Sequence, residues 1–153
     1  MTSVRRVIAD YDGYADLLGL DRRVGVPVAA SVDLTARCNL RCRHCYQQGP
    51  HPRAELSTST WCDLLDQMAA AGTLDLLMTG GEILARRDFP TIYRHAKARG
   101  FVVSLFTNGT LIDDEIADLL ATRRPLVVEI TVYGLSDRTA LRTTRSPHYI
   151  ESL

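Results

Sequence analysis

Three cysteines close together in the first third of the chain place the strongest constraint on what it can fold around. Cys38, Cys42 and Cys45 have the spacing C-x3-C-x2-C. Thiolates this close in sequence can ligate three irons of a cubane [4Fe–4S] cluster, which leaves the fourth iron without a cysteine and open to another ligand. The spacing therefore predicts an iron–sulfur site with one open iron.

Other uses of these cysteines stay open from the residues alone. Structural zinc takes four Cys or His ligands, so a zinc site would have to recruit His44 or His51, and we expect His44 to point away from the thiols. The three thiols could also pack without a metal. A disulfide framework is disfavoured because the N-terminus has no apolar signal-peptide core and nothing else indicates export. The fourth cysteine, Cys62, is interpreted as a lone buried thiol on a helix.

Composition and charge exclude several broad classes of protein. The chain has 153 residues, 46% of them hydrophobic and 24% charged, which is the balance of one soluble globular domain. Eighteen basic and eighteen acidic residues cancel, which argues against a general nucleic-acid binder. No stretch approaches the roughly 20 apolar residues of a membrane helix. We expect a cytoplasmic protein that binds neither nucleic acid nor membrane.

The distribution of apolar residues predicts a parallel α/β fold. Short apolar runs alternate with segments whose apolar residues recur at helical spacing, and strands separated by helices form parallel sheets with right-handed crossovers. Ser57 or Ser59 is placed to cap the first of these helices. The predicted strands are 28–34, 74–79, 101–106 and 126–132, and the predicted helices are 58–71, 88–100 and one from 113, with helix or loop after 137.

Candidate functional motifs follow three of the predicted strands. The cysteines follow the first strand, Thr79–Glu82 (TGGE) follows the second, and Thr107–Gly109 (TNG) follows the third. In parallel α/β folds the chemistry lies at the C-terminal ends of the strands. We therefore expect the three segments to meet at one edge of the sheet.

The fourth predicted strand alternates apolar and polar residues, as a strand with two different faces does. We expect its apolar residues to pack under helices. Its polar residues should then face a pocket, which places Thr131 near a ligand, or else face solvent at an unpaired edge. The apolar set is Val128, Ile130 and Val132, and the polar set is Glu129, Thr131 and Tyr133.

Together these segments resemble the radical S-adenosylmethionine (SAM) enzymes. The run Cys38–Tyr46 (CNLRCRHCY) is similar to the family's signature. Thr79–Glu82 resembles the glycine-rich segment that meets the methionine amino group of the cofactor. Thr107–Thr110 resembles the third-strand signature, and Glu129–Gly134 resembles the fourth-strand segment that contacts the cofactor. The resemblance covers about residues 27–153. The residues of these motifs are most similar to the peptide-maturase branch, which usually carries a C-terminal SPASM or twitch extension.

The resemblance implies a fold and a set of roles. The fold is a partial (β/α)6 TIM-like barrel, of which this chain supplies the first four strands. The three cysteines would bind a [4Fe–4S] cluster, and SAM would chelate its open iron. The implied SAM-binding residues are Gly80 and Gly81, whose backbones would approach the ligand unless they form an ordinary turn, and Glu82, which would pair with the ammonium group. Tyr46 would touch the adenine unless it is a core aromatic, and Asn108 would line the pocket or brace its turn. Thr131 would bind the carboxylate or ribose, and Arg142 would neutralise the carboxylate.

The resemblance also implies a reductive reaction. One electron from a flavodoxin- or ferredoxin-type donor would cleave SAM into methionine and a 5′-deoxyadenosyl radical, which abstracts a hydrogen atom from the substrate. The protein's part is to bind, to orient and to exclude water and oxygen. A peptide or protein is the implied substrate. Heme-modifying and other cofactor-modifying relatives share many of these motif residues, so modification of a heme or cofactor is the alternative function.

Length is the main departure from the family pattern. We expect residues 1–26 to form an N-terminal arm and residues 27–153 a radical SAM core that is incomplete at its C-terminus, as in an N-terminal fragment. No cysteine follows Cys62, so the chain has no SPASM cysteines. Ile83 also stands where the family often has a proline, which would stiffen the turn. An inactive, truncated iron–sulfur binding module is the alternative from a different functional class.

Overall fold

Strands and helices alternate along the chain as the sequence predicted. A computed structural model describes residues 25–47, 54–134, 136–147 and 149. Most of the expected arm, residues 1–26, lies outside these ranges. The strands are β1 (Ala29–Asp33), β2 (Asp75–Thr79), β3 (Val102–Thr107) and β4 (Val127–Ile130), the helices are α1 (Thr58–Ala70), α2 (Phe89–Ala98), α3 (Asp114–Thr122) and α4 (Asp137–Thr144), and Ile83–Ala85 forms a 3₁₀ turn.

The four strands form one parallel sheet in the order β1-β2-β3-β4, which confirms the predicted fold class. The register runs straight across the sheet, from Ser31 through Leu77 and Ser104 to Val127. Because all strands point the same way, their C-terminal ends meet at one edge. The segments that follow β1, β2 and β3 therefore start side by side.

Side-chain caps mark the starts of three helices. The Ser57 side chain accepts a hydrogen bond from the Thr60 amide at 3.1 Å, so Ser57 rather than Ser59 is the N-cap of α1. Asp113 accepts from the Ile116 amide at 2.8 Å and caps α3, and Ser136 caps α4. Each such cap contributes about 1 kcal/mol. In the part of the chain that the structure describes, no helix is both long enough and apolar enough to cross a membrane.

The main core lies between the sheet and the helices that follow its strands. On this face of β2 and β3, Leu76, Met78, Val103 and Leu105 are at most 1% exposed. Each large apolar side chain buried in this way contributes about 1.5–3 kcal/mol to stability. The other residues of the core cluster are Val32, Leu34, Trp61, Leu65, Ile83, Phe89, Ile92, Tyr93, Ala96, Phe101, Ile116 and Leu119.

The fourth strand differs from its prediction in length and in packing. It ends at Ile130, so the alternation expected up to residue 132 stops early. Val128 packs against the core as predicted. The prediction was wrong for Ile130 and Val132, whose side chains are 42% and 55% exposed. The helix after β4 does not cover them, because the end of α4 lies against the cysteine loop, where the Arg41 amide donates to the carbonyl of Thr144 at 3.2 Å.

Candidate functional site

A cavity of about 210 Å³ opens where the C-terminal ends of the strands meet. Its wall is built from the cysteine loop after β1, the segments after β2 and β3, and the residues just after β4. The sequence predicted that the first three segments meet, and the structure brings them together here. The predicted site residues that line the cavity are Cys38, Cys42, Cys45, Tyr46, Gly80, Gly81, Asn108 and Thr131.

The three thiols share this cavity but differ in exposure. Cys38 is exposed, Cys45 is half-buried and Cys42 is buried. Burial raises the pKa of the Cys38 and Cys42 thiols, and the neighbouring cysteines raise it further because like charges repel. The described side chains contain no group of three or more His, Cys, Asp or Glu arranged to hold a metal ion. A cubane takes each thiolate on a different iron, and iron favours the thiolate over the thiol, so three soft donors around one cavity fit a [4Fe–4S] cluster.

Hydrogen bonds from neighbouring groups reach two of the three sulfur atoms. The amide of Leu40 donates to Cys38 Sγ at 3.4 Å, and Asn108 Nδ2 donates to the same atom at 3.8 Å. The Tyr133 hydroxyl hydrogen-bonds to the Cys42 sulfur, which opposes the effect of burial and lowers the pKa of that thiol. These donors favour the thiolate, the form that binds metal.

Tyr133 is a site residue whose contact with a cysteine the sequence did not predict. Its ring centroid lies 5.0 Å from that of His44 and 5.9 Å from that of Tyr149. Burial first, and then the neighbouring Cys42, raises the pKa of Tyr133 to about 12. The hydroxyl therefore stays protonated at neutral pH and can donate to sulfur. Alternation along the fourth strand placed Tyr133 on the pocket side, but nothing in the sequence pairs it with Cys42.

The glycine pair after β2 fits closely against the backbone of the cysteine loop. The amide of Gly81 donates to the carbonyl of Thr35 at 2.7 Å, and the next amide donates to the carbonyl of Arg37 at 2.8 Å. A Cβ at Gly80 would collide with the Thr35 carbonyl, and a Cβ at Gly81 with the Arg37 carbonyl. The sequence predicted that these glycines allow a ligand to approach. In the structure they allow two loops to approach one another.

Glu82 lies beneath the cavity rather than in its wall. It is 1% exposed, and both of its oxygens accept hydrogen bonds. Oε1 accepts from the hydroxyl of Thr107 at 2.7 Å and from the amide of Leu84 at 3.0 Å, and Oε2 accepts from the amide of Asn108 at 2.7 Å. This carboxylate joins the segment after β2 to the end of β3. Its pairing with the cofactor's ammonium group stays a prediction.

The Asn108 side chain braces its own turn and also lies in the cavity wall, while its contact with a cofactor stays a prediction. Its Oδ1 accepts from the amide of Thr110 at 3.0 Å and from its hydroxyl at 2.6 Å, so the side chain braces its own turn. Its Nδ2 donates to Asn39 Oδ1 at 2.9 Å and points to Cys38 in the cavity wall. The segment after β3 is thereby attached to the cysteine loop.

The remaining predicted residues occupy different positions. Tyr46 is 83% exposed and lines the cavity, so it is not a core aromatic. Thr131 lines the cavity, and its carbonyl accepts from the Tyr149 hydroxyl at 2.6 Å. Arg142 is exposed on α4 and lines neither this cavity nor the adjoining one of about 330 Å³. Arg145, which has a left-handed φ of 59°, lines the adjoining cavity beside Cys38.

Comparison with known proteins decides the family. The sequence profile of the Radical SAM superfamily matches residues 32–153. The chain belongs to the radical SAM superfamily. This radical SAM chain is 41% identical over 107 residues to the Fe-coproporphyrin III synthase of Methanosarcina barkeri, a match that covers 69% of this chain and 27% of that protein. It is 36% identical over 112 residues to the PqqA peptide cyclase of Rhodopseudomonas palustris, with 72% and 30% covered.

Solved structures show the same fold. This radical SAM chain superposes on SuiB of Streptococcus suis, crystallised with its precursor peptide SuiA and with S-adenosylmethionine, with a TM-score of 0.70 at 18% identity. In the peptide complex the match covers 78% of this chain and 27% of SuiB. The chain thus spans less than a third of the length of these relatives.

Proposed function

We propose that this radical SAM chain holds a [4Fe–4S] cluster through Cys38, Cys42 and Cys45 and binds SAM in the adjacent cavity. The observation that carries the proposal is that all three cysteines line one cavity with Gly80 and Asn108, which come from two other strand ends. The bound cluster would supply reductive cleavage of SAM to a 5′-deoxyadenosyl radical for hydrogen abstraction. A flavodoxin- or ferredoxin-type protein would supply the electron.

The chain's own residues bind and orient the reactants. Asn108 and the amide of Leu40 direct hydrogen bonds at Cys38, which stabilises the thiolate. Tyr46 presents an exposed ring at the cavity that can cover the adenine. Thr131 offers its hydroxyl to the carboxylate or ribose.

Two charged residues keep the roles that the family resemblance implies. Glu82 provides a negative charge beneath the ammonium group of SAM. Arg142 provides a positive charge for the carboxylate, although Arg145 and not Arg142 lines the adjoining cavity with Cys38.

We infer that the substrate is a peptide or protein modified in the cytoplasm. Two observations support the substrate class. One of the relatives is a peptide cyclase, and the superposed SuiB structure holds a precursor peptide.

Anaerobic reconstitution with iron and sulfide tests the proposal. We expect a reduced cubane EPR signal that changes shape when SAM is added, because SAM ligates the open iron. Cys42→Ala should lose the signal. Cys62→Ala, which removes the half-buried thiol of α1, is the matched control and should keep it. An EPR signal that does not change when SAM is added, or one that remains in Cys42→Ala, contradicts the proposal.

The hydrogen bond from Tyr133 to Cys42 leads to a second expectation. Such a bond stabilises the reduced, more negative cluster and raises its reduction potential. We expect Tyr133→Phe to lower the midpoint potential in a redox titration followed by EPR, with the iron content unchanged. Tyr93→Phe is the control, because that hydroxyl binds the carbonyl of Arg123 away from the cavity. An unchanged potential in Tyr133→Phe would show that the bond is not made to the cluster-bound sulfur.

Modification of a porphyrin is the second candidate function. It is favoured by the 41% identity to Fe-coproporphyrin III synthase, which exceeds that to the peptide cyclase. Titration of the reconstituted chain with Fe-coproporphyrin III separates the two. A saturable shift of the porphyrin absorption band that is lost in Tyr46→Ala would favour the porphyrin.

A further inference from the structure

We propose that Glu55, held in place by the buried Arg86, is a positioning residue for the cysteine loop. It fixes Thr35–Arg37, the three residues that precede Cys38, and this segment is called the loop stem. The consequence for cluster binding rests on the proposed function. The restraint of the stem itself does not rest on the proposed function.

Glu55 contacts every residue of the loop stem. Its Oε1 accepts a short hydrogen bond from the hydroxyl of Thr35 and another from the amide of Ala36 at 3.3 Å. Its Oε2 accepts from Arg37 Nε at 3.0 Å and Nη2 at 2.6 Å. Hydrogen bonds that involve a charged group are roughly twice as strong as neutral ones. One carboxylate thus restrains the whole stem.

Arg86 anchors this carboxylate from below. The guanidinium is 4% exposed, and its Nη1 lies 3.7 Å from Glu55 Oε2. It donates to the carbonyl of Leu34 at 2.9 Å and to the carbonyl of Leu56 at 3.0 Å. Asp88 accepts from its Nε at 2.9 Å and from its Nη2 at 2.6 Å. Arg86 therefore links Leu34, which precedes the stem, to Leu56, which follows Glu55, and to Asp88 at the start of α2.

The stem also binds the segment that follows β2. The carbonyls of Thr35 and Arg37 accept from the amides of Gly81 and Glu82. Glu55 and the glycine segment together bind side-chain and backbone groups of all three stem residues. Although burial opposes it, the hydrogen bonds from Thr35 and Arg37 hold the pKa of Glu55 below its usual range, so the restraint persists at neutral pH. Cys38 directly follows the stem, so the position of its backbone depends on that of the stem.

Hydrogen exchange on the metal-free full chain tests the restraint. Glu55→Ala should raise amide exchange in the peptide that contains the stem by about tenfold, because the acceptor for Ala36 is lost. Asp66→Ala is the matched control. It also removes a carboxylate with two basic partners, His95 and Arg99, but these join α1 to α2 away from the cysteines. It should leave exchange in the stem unchanged.

Iron release from the reconstituted chain tests the consequence. With a ferrous chelator in excess, Glu55→Ala should lose iron about tenfold faster than the parent, and Asp66→Ala should match the parent. Equal exchange or equal release in the two variants overturns the inference, since any effect would then be general destabilisation. A parent chain that takes up no cluster contradicts the proposed function instead, and the exchange measurement then decides whether Glu55 fixes the stem.

Discussion

Gly80→Ala is expected to destabilise the fold by about 3–5 kcal/mol, a large part of the roughly 5–15 kcal/mol by which native proteins are stable. Two costs add at this position. The residue has φ +142°, a conformation that L side chains rarely adopt, and the new Cβ would collide with the carbonyl of Thr35. The backbone of the cysteine loop would have to move away. Urea unfolding followed by circular dichroism measures the loss through the midpoint.

Two other glycines separate these costs. Gly100 has φ +88°, and a Cβ added there would meet nothing within 4 Å, so Gly100→Ala carries only the backbone cost of about 1–2 kcal/mol. Gly81 has no positive φ but meets the carbonyl of Arg37, so Gly81→Ala carries only the collision, about 1–3 kcal/mol. If Gly80→Ala costs no more than Gly100→Ala, the glycine segment does not lie against the cysteine loop.

Glu82→Gln is expected to cost about 1–3 kcal/mol, although it changes the side chain by a single atom. Each carboxylate oxygen accepts from a backbone amide, Oε1 from Leu84 and Oε2 from Asn108. An amide group has only one oxygen. In either orientation its NH₂ faces one of these backbone N–H groups, which then stays buried without an acceptor. Unfolding midpoints for the parent and the variant measure the cost.

An exposed glutamate provides the control for this substitution. Glu115 lies on the first turn of α3, and Glu115→Gln should change stability by no more than about 0.5 kcal/mol. SAM titration of the reconstituted variants then examines the second predicted role of Glu82. A variant that is destabilised but binds SAM as tightly as the parent would assign Glu82 to bracing alone. Unchanged stability in Glu82→Gln would contradict the hydrogen bonds from the Leu84 and Asn108 amides.

Local patterns explain how much of the fold the sequence predicts. β2, β3 and the first three helices lie close to their predicted ranges, because periodicity and caps such as Ser57 and Asp113 act over a few residues. The meeting of the three motifs at one edge follows from parallel topology alone. β4 was predicted too long because strand alternation does not show where pairing with β3 stops, at Ile130.

Contacts between distant segments explain what the sequence does not predict. Arg86 binds the carbonyl of Leu34 across 52 residues, and no local pattern marks such a partner. Glu82 looks like a ligand-facing carboxylate in its motif, yet the structure buries it under the cavity because Thr107 and Asn108 donate to it. Arg145 rather than Arg142 lines a cavity together with Cys38, and no local pattern shows which of the two arginines reaches it.

Because neighbouring strands of the sheet are also consecutive in the sequence, the order of synthesis on the ribosome determines the order in which the strands can pair. Strands that pair in the order of synthesis can dock one at a time as they emerge. The thiols are synthesised first, but the partners that orient their loop come later, first Glu55, then Gly81 and Asn108, and finally Tyr133 and Thr144. The loop therefore acquires its final shape only after α4 has left the exit tunnel. Iron delivered earlier would meet three thiols on an unrestrained chain, so we expect the proposed cluster to be inserted only after synthesis of this region.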